Sequence, residues 1–130
     1  MNKVLLSLMM CFSFGSAFAY DEQRAMTNLS HDFAECSAFY FISAQGARNS
    51  GAEELAKGLE GQAKVAAVIS GEFSNAEVFK ARVKLAVEEQ LKVINKDYSN
   101  MSILMSKYLN FCQSLMTSPK ERMAYWFNKK

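Results

Sequence analysis

The chain has 130 residues, half of them hydrophobic, with 15 lysines and arginines against 13 aspartates and glutamates. This length fits one domain. The formal net charge of only +2 gives no strong field, which argues against nucleic acid or an acidic lipid surface as the main partner.

Residues 1–19 have the three-part layout of a cleavable secretory signal. Lys3 precedes an apolar run over residues 4–14, and the small-x-small triplet 17–19 follows it. The run is much shorter than the roughly 20 residues of a membrane-spanning helix. We therefore expect cleavage after Ala19 and a mature chain, residues 20–130, that is one helical domain without a transmembrane segment. Its expected location is the periplasm or the secreted medium.

Two cysteines, Cys36 and Cys112, remain in the mature chain, because Cys11 lies in the predicted signal. An even number of cysteines in an exported chain indicates a disulfide more often than free thiols or metal ligands. We expect a Cys36–Cys112 bridge that stabilises the fold by roughly 2 to 4 kcal/mol.

The first two predicted helices cover residues 21–45 and 52–70, with a turn at residues 46–51 (GARNSG) between them. Gly58 and Gly61 in the second helix are interpreted as points of close helix packing. The inward stripe of the first helix is predicted to be Met26, Leu29, Phe33, Cys36 and Tyr40. That of the second helix is predicted to be Leu55, Leu59, Ala63, Ala66 and Ile69.

The third and fourth helices follow from a conflict between pattern and geometry. Ser74 and Glu77 predict a capping box at the start of a third helix, and periodicity alone would extend that helix from residue 75 to residue 116. Such a helix would be about 63 Å long and would carry Cys112 far beyond the level of Cys36 in the bundle. A disulfide requires the two Cα atoms to lie within about 7 Å, so the bridge could not form. We therefore predict a break at residues 96–100 and a fourth helix, residues 101–116, antiparallel to the first.

The last predicted helix is short and begins at Ser118-Pro119, with Glu121 in its first turn. Its apolar face, which includes Met123, Trp126 and Phe127, should pack across the bundle as a lid. The predicted fold class is thus all-α, an antiparallel bundle of four main helices plus a short C-terminal helix with one disulfide.

Chemical groups for catalysis are scarce in this sequence. His31, the single histidine, could bind a metal with Asp32 and Glu35, or a haem with a methionine, which would allow a metal-dependent enzyme as one alternative. The same three residues form a helix face opposite Phe33 and Cys36, which we interpret as solvated surface. We expect no cofactor and no enzymatic activity.

The preferred hypothesis is an exported protein that recognises another protein in the cell envelope, as an inhibitor, an immunity protein or an accessory subunit. Four consecutive apolar residues, 39–42, point around the whole helix and cannot all reach one core. The fourth helix carries a neutral polar strip beside aromatic residues, which suits a protein contact. The candidate contact residues are Phe39, Phe41, Arg48, Trp126 and Phe127, because aromatic residues and arginine dominate contact hot spots.

The alternative hypothesis is a carrier of a small apolar ligand inside the bundle. Methionine adapts its shape to irregular apolar surfaces, and four methionines fall in the last two predicted helices together with aromatic residues. The residues that could line such a pocket are Met101, Met105, Met116, Met123, Phe111, Tyr125 and Trp126.

Overall fold

The structure, a computed structural model, describes the backbone of residues 15–129 and the side chains of residues 20–129. Its helices are α1 (Gly15–Asn49), α2 (Glu53–Glu72), α3 (Ala76–Val93), α4 (Met101–Thr117) and α5 (Pro119–Asn128), with a 3-10 turn (Tyr98–Asn100) before α4. The predicted bundle of four main helices plus a short C-terminal helix is confirmed. No helix among the described residues is long and apolar enough to cross a membrane.

The side chains of the predicted signal peptide, residues 1–19, lie outside the described residues. The described part of helix α1 begins at Gly15, so the predicted cleavage after Ala19 would fall within the helix. The cleavage stays a prediction.

Helix α1 is the axis of the bundle. It packs against each of the other four helices, and it carries more than half of the buried apolar residues that the structure describes. Ala38 and Ile42 are buried on one side of α1, and Phe33 and Tyr40 are buried on another. A helix that is apolar all round is a buried helix, so the predicted single stripe covers only part of the surface that α1 buries.

Serine side chains hold α1 and α2 together in an antiparallel pair. The Ser30 hydroxyl donates to the carbonyl of Ser70 at 2.9 Å, and the Ser70 hydroxyl donates to the carbonyl of Ser30 at 2.7 Å. The Ser37 hydroxyl donates to the carbonyl of Ala63, also at 2.9 Å. These hydroxyls are buried and satisfied, as buried polar groups in folded proteins generally are.

Two interpretations of α2 are wrong. A Cβ atom added at Gly58 or Gly61 would meet nothing within 4 Å, so these glycines lie on an open surface and do not mark close packing. Leu55, predicted to point inward, is 59% exposed. The close contacts of α2 come instead from small buried residues, namely Ala56, Ala63, Ala66 and Ser70.

The predicted turn over residues 46–51 is also too long, because α1 continues to Asn49. The amide of Ala52 donates to the carbonyl of Ala47 and that of Gly51 to Arg48, which is the Schellman pattern with Gly51 in the left-handed region at φ 80°. Gly46 stays helical. A Cβ there would lie 3.3 Å from Met101 Cγ, so the glycine allows α4 to approach α1 closely.

The predicted break between the third and fourth helices is confirmed. Helix α3 ends at Val93, and Asn95 and Lys96 adopt left-handed φ angles of 53° and 56°. The amide of Lys96 donates to the carbonyl of Leu91 and that of Asn95 to Lys92, a second Schellman pattern. The start of α3 differs from prediction, because Asn75 caps it by accepting from the amide of Val78.

The disulfide between Cys36 and Cys112 is present, with the two Cα atoms 5.4 Å apart. Gly46 of α1 lies beside Met101 at the start of α4. Contacts therefore run from the end of α1 to the start of α4, which shows that these helices are antiparallel as predicted.

Candidate binding groove

An apolar groove runs between α2 and α4, with α1 as its floor. Both helices pack against α1, but neither packs extensively against the other. Two adjoining cavities of about 500 and 300 Å³ share Leu59, Leu109 and Gln113, so they form one continuous feature. We call it the α2–α4 groove.

None of the residues that line the α2–α4 groove carries a charge. Its floor consists of Phe39, Tyr40, Ser43, Gly46, Ala47 and Ser50. The α2 wall consists of Leu55, Leu59 and Gln62. The opposite wall, on α4 and the 3-10 turn, consists of Tyr98, Met101, Met105, Leu109, Gln113, Met116 and Thr117.

The α2–α4 groove is long relative to its width. Its α4 wall extends from Met101 to Met116, which is about 22 Å at 1.5 Å per residue, or four turns of a helix. Three methionines in this wall supply flexible, polarisable side chains that adapt to irregular surfaces. Such a groove suits an elongated, uncharged, apolar occupant.

Large apolar side chains remain exposed along the edges of this groove. Leu55 on the α2 wall is 59% exposed and Met105 on the α4 wall is 39% exposed. Because α1 and not α4 is the central helix, packing of α2 and α4 within the bundle does not account for the exposure of these apolar side chains. Clustered exposed apolar residues of this kind mark interaction surfaces.

Of the consecutive residues 39–42, three belong to the core. Phe39, Tyr40 and Ile42 are all at most 5% exposed, and the ring of Phe39 lies 5.2 Å from that of Tyr40. Phe39 therefore reaches the groove only as part of its floor. Phe41 is 44% exposed and lies two residues from Ser43, on the opposite side of α1.

Arg48 does not lie in a turn, although the turn predicted over residues 46–51 includes it. Arg48 is in the last turn of α1, where its Nη2 donates to Glu60 Oε1 at 2.7 Å and its Nε lies 3.4 Å from Glu53 Oε2. These contacts raise the pKa of the Arg48 guanidinium, mainly through the hydrogen bond to Glu60. Arg48 thus fastens α1 to α2.

Trp126 belongs to a polar contact that holds α5 on α1. Its Nε1 donates to Asp32 Oδ2 at 2.5 Å, and Arg122 binds the same carboxylate through Nε at 2.7 Å and Nη2 at 3.3 Å. We call Asp32, Arg122 and Trp126 the α5 anchor. Phe127, the remaining candidate contact residue, is 41% exposed on α5. The structure therefore does not gather the five candidate residues into one surface.

The interpretation of His31, Asp32 and Glu35 as one solvated face is wrong for Asp32, which is only 4% exposed. The carboxylate of Asp32 is engaged by the α5 anchor. His31 Nε2 lies 3.5 Å from Glu35 Oε1, and this contact raises the pKa of His31 above its ordinary 6.5. Among the described residues there is no group of three or more histidine, cysteine, aspartate or glutamate side chains placed to hold a metal ion.

The methionine-rich pocket expected for a small ligand is divided in the structure. Met101, Met105 and Met116 line the α2–α4 groove, whereas Met123 packs against the core. Phe111 and Tyr125 border a separate cavity of about 230 Å³ between α4 and α5. The groove itself could not be predicted from the sequence, because its walls come from α2 and α4, two helices that α3 separates along the chain.

The chain matches no protein family model, and no curated protein or solved structure is significantly similar to it. The geometry and chemistry of the α2–α4 groove are therefore the features that indicate a function.

Proposed function

We propose that the protein is an exported, non-catalytic binding protein that recognises an apolar helix of another envelope protein in the α2–α4 groove. The observation that carries this proposal is a groove about 22 Å long, lined without a single charge and edged by exposed apolar side chains. Inhibitors, immunity proteins and accessory subunits all fall within this class.

The shape of the groove favours a helix over a small molecule. Amphipathic helices bind by laying apolar residues at positions i, i+3, i+4 and i+7 into a groove, and four turns match the length of the α4 wall. Sites for small ligands usually enclose most of the ligand surface. The exposed side chains of Leu55 and Met105 become buried only if the occupant also covers the edges.

Two features support export. The Cys36–Cys112 bridge is typical of proteins in oxidising compartments, and the first nineteen residues have the layout of a secretory signal. Together they favour the periplasm or the secreted medium as the place where the partner is met.

The second candidate function is a carrier of a small apolar ligand. The larger of the two cavities in the groove, about 500 Å³, lies within the range of sites for drug-sized molecules. Native mass spectrometry of the protein purified from its own compartment separates the two functions, because a carrier retains a small mass and a protein-binding module does not.

The test of the proposed function compares two substitutions that are matched in chemistry and exposure. Leu55→Glu places a charge on the groove wall, whereas Leu85→Glu places one on α3 outside the lining, and the two leucines are 59% and 57% exposed. In affinity capture from the native envelope, we expect Leu55→Glu to reduce the amount of captured partner at least tenfold. Leu85→Glu should capture as much partner as the wild-type protein. Equal capture by both variants would contradict the proposal.

A further inference from the structure

We infer that the α2–α4 groove fixes the direction of the bound helix, because one end of the groove binds neutral polar side chains and the rest binds apolar ones. The polar end consists of Tyr40, Gln62 and Gln113, which we call the polar clamp. The occupant is therefore a helix with asparagine, glutamine, serine or threonine at one end of an otherwise apolar face. This inference deepens the proposed function and rests on it.

The polar clamp lies beside the C-terminal half of α4. Gln62 is on the α2 wall, Tyr40 is on the floor and Gln113 is on the α4 wall, and all three line the smaller cavity of the groove. Together with Thr117, they make up four of the seven residues that line this cavity. A polar side chain of the occupant at this end therefore has polar residues on the floor and on both walls.

The larger cavity of the groove offers far less to a polar side chain. Eight of its twelve lining residues are apolar or glycine. The Ser43 hydroxyl is fully enclosed, and the Ser50 hydroxyl already donates to the carbonyl of Ala47 at 2.8 Å. Apart from Gln113, which the two cavities share, Tyr98 is the remaining polar residue there. A polar side chain buried along this part without a partner would weaken binding.

The polar groups of the clamp are within reach of an occupant. Gln62 and Gln113 are exposed residues. The Tyr40 hydroxyl forms no hydrogen bond with a described residue, and burial alone raises the pKa of this hydroxyl. Among the described residues, the fully enclosed side-chain atoms without a partner belong to Ser43 and Gln90. The Tyr40 hydroxyl therefore keeps contact with solvent, and the smaller cavity is the opening that Tyr40 borders.

The chemistry of the polar clamp favours neutral polar side chains over charged ones. A phenol hydroxyl and two amides both donate and accept, so they can pair with another amide or hydroxyl. A charged side chain that lost its water here would have no counter-charge, since no lining residue is charged. A polar residue in an apolar helix contact fixes the register of the two partners. Because the clamp lies at one end, it also distinguishes the two directions of the bound helix.

The first test needs no ligand. Tyr40→Phe removes one hydroxyl and keeps the ring that packs in the core. Since this hydroxyl forms no hydrogen bond with a described residue, we expect the variant to keep a Tm within about 2 °C of the wild-type value. A larger fall in Tm would show that the hydroxyl is already bonded within the free protein, and the inference would be overturned.

The second test uses sixteen-residue amphipathic peptides with a leucine face and a neutral outer face. Each peptide carries one asparagine, at the first, the central or the last groove-facing position. By titration calorimetry, we expect at least one terminal-asparagine peptide to bind the wild-type protein about tenfold more tightly than the central-asparagine peptide. Aspartate in place of that terminal asparagine should weaken binding.

Variants of the protein locate this preference within the groove. Tyr40→Phe and Gln62→Leu should each reduce the ratio of the two affinities to below about threefold, because each removes one partner of the terminal asparagine. Tyr108→Phe is the matched control. Tyr108 is buried like Tyr40, at 8% and 5% exposure, but it lies outside the groove lining, so this variant should keep the ratio.

The outcomes separate this inference from the proposed function. If the peptides bind and Leu55→Glu weakens them, but the asparagine position has no effect or its effect survives in Tyr40→Phe and Gln62→Leu, only the polar clamp is overturned. If no peptide binds the wild-type protein, or if Leu55→Glu has no effect, the helix-binding function fails and the inference fails with it. Binding of 1-dodecanol that depends on Tyr40, without binding of any peptide, would assign the groove to a small amphiphile and overturn both.

Discussion

A single buried carboxylate positions the C-terminal helix. Asp32 receives hydrogen bonds from Arg122 and Trp126, and the Arg122 guanidinium also lies 4.5 Å from the ring centre of Tyr125 and 4.7 Å from that of Trp126. This contact could not be predicted from local sequence, since Asp32 and Arg122 are 90 residues apart. The local pattern around Asp32 indicated only a polar helix face.

Replacing Asp32 by asparagine should destabilise the protein by about 2 kcal/mol, because charge-assisted hydrogen bonds to a buried carboxylate are lost. Urea unfolding measures this change, and the fluorescence of Trp126, the only tryptophan, should shift to longer wavelength. Asp21→Asn is the control, since Asp21 forms only an exposed ion pair with Arg24 at 3.6 Å. It should change stability by less than about 0.5 kcal/mol. Equal effects of the two substitutions would show that Asp32 does not hold α5.

A second prediction concerns the pKa of His31, which NMR can follow directly. His31 is the single histidine of the sequence, so its signals cannot be confused with those of another histidine. The hydrogen bond that His31 donates to the Glu35 carboxylate raises the pKa of His31, with Asp32 adding to the rise while burial and Arg82 oppose it. The titration midpoint should therefore lie above 6.5 and fall in Glu35→Gln. Since the folded pKa is raised, this stabilisation is fully present below about pH 6.5 and is lost as pH rises through the folded pKa. A midpoint below 6.5 would mean that burial outweighs the carboxylate.

At the scale of elements, the boundary between α3 and α4 shows what local sequence can predict. The turn-prone residues 96–100 indicated a break, and the disulfide required one. The structural signal lies one residue earlier, at Asn95, which takes the left-handed position of the Schellman pattern. Asparagine is the residue that most often replaces glycine there, so this signal was present in the sequence.

Lys96 has a φ of 56°, which is costly for a side chain with a Cβ atom. Lys96→Gly should therefore stabilise the protein by about 0.5 kcal/mol, whereas Lys92→Gly, in the last turn of α3, should destabilise it by about 1 kcal/mol. Chemical denaturation of the two variants compares them directly. If Lys96→Gly is as destabilising as Lys92→Gly, the turn does not hold its left-handed geometry in solution.

The central position of α1 was not predictable from periodicity. Its stripe from Met26 to Tyr40 resembled that of a surface helix, and the buried alanines on its other sides gave no contrast with polar residues. The sequence of α4 is apolar on most of its sides, which is typical of a central helix. In the structure, α4 packs against α1 on one side and leaves Ile103 and Met105 exposed.

For the whole molecule, the Cys36–Cys112 bridge links residues 76 apart in sequence and fixes α4 against α1. Replacing both cysteines by alanine should lower the free energy of unfolding by roughly 2 to 4 kcal/mol, because the unfolded chain regains freedom. Urea unfolding without reductant measures the loss. Iodoacetamide should modify neither cysteine in the native, unreduced protein. Labelling of both sulfurs would contradict the bridge.

The fold class, the disulfide and the break before α4 follow from residue types and chain geometry, and so could be predicted. The binding surface could not be, because it depends on how far apart α2 and α4 lie on α1. Leu55 on the α2 wall and Met101 on the α4 wall face one groove only after the bundle has assembled.

Site-specific photocrosslinking in the native envelope tests the binding groove most directly. A benzoylphenylalanine probe is placed at Leu55 on the α2 wall, at Met105 on the α4 wall, or at Leu85 outside the groove. If a partner helix lies between the walls, Leu55 and Met105 give crosslinks to the same protein and Leu85 gives none. A crosslink to that protein from Leu85 would contradict the proposed function. The absence of any crosslink from Leu55 and from Met105 would also contradict it.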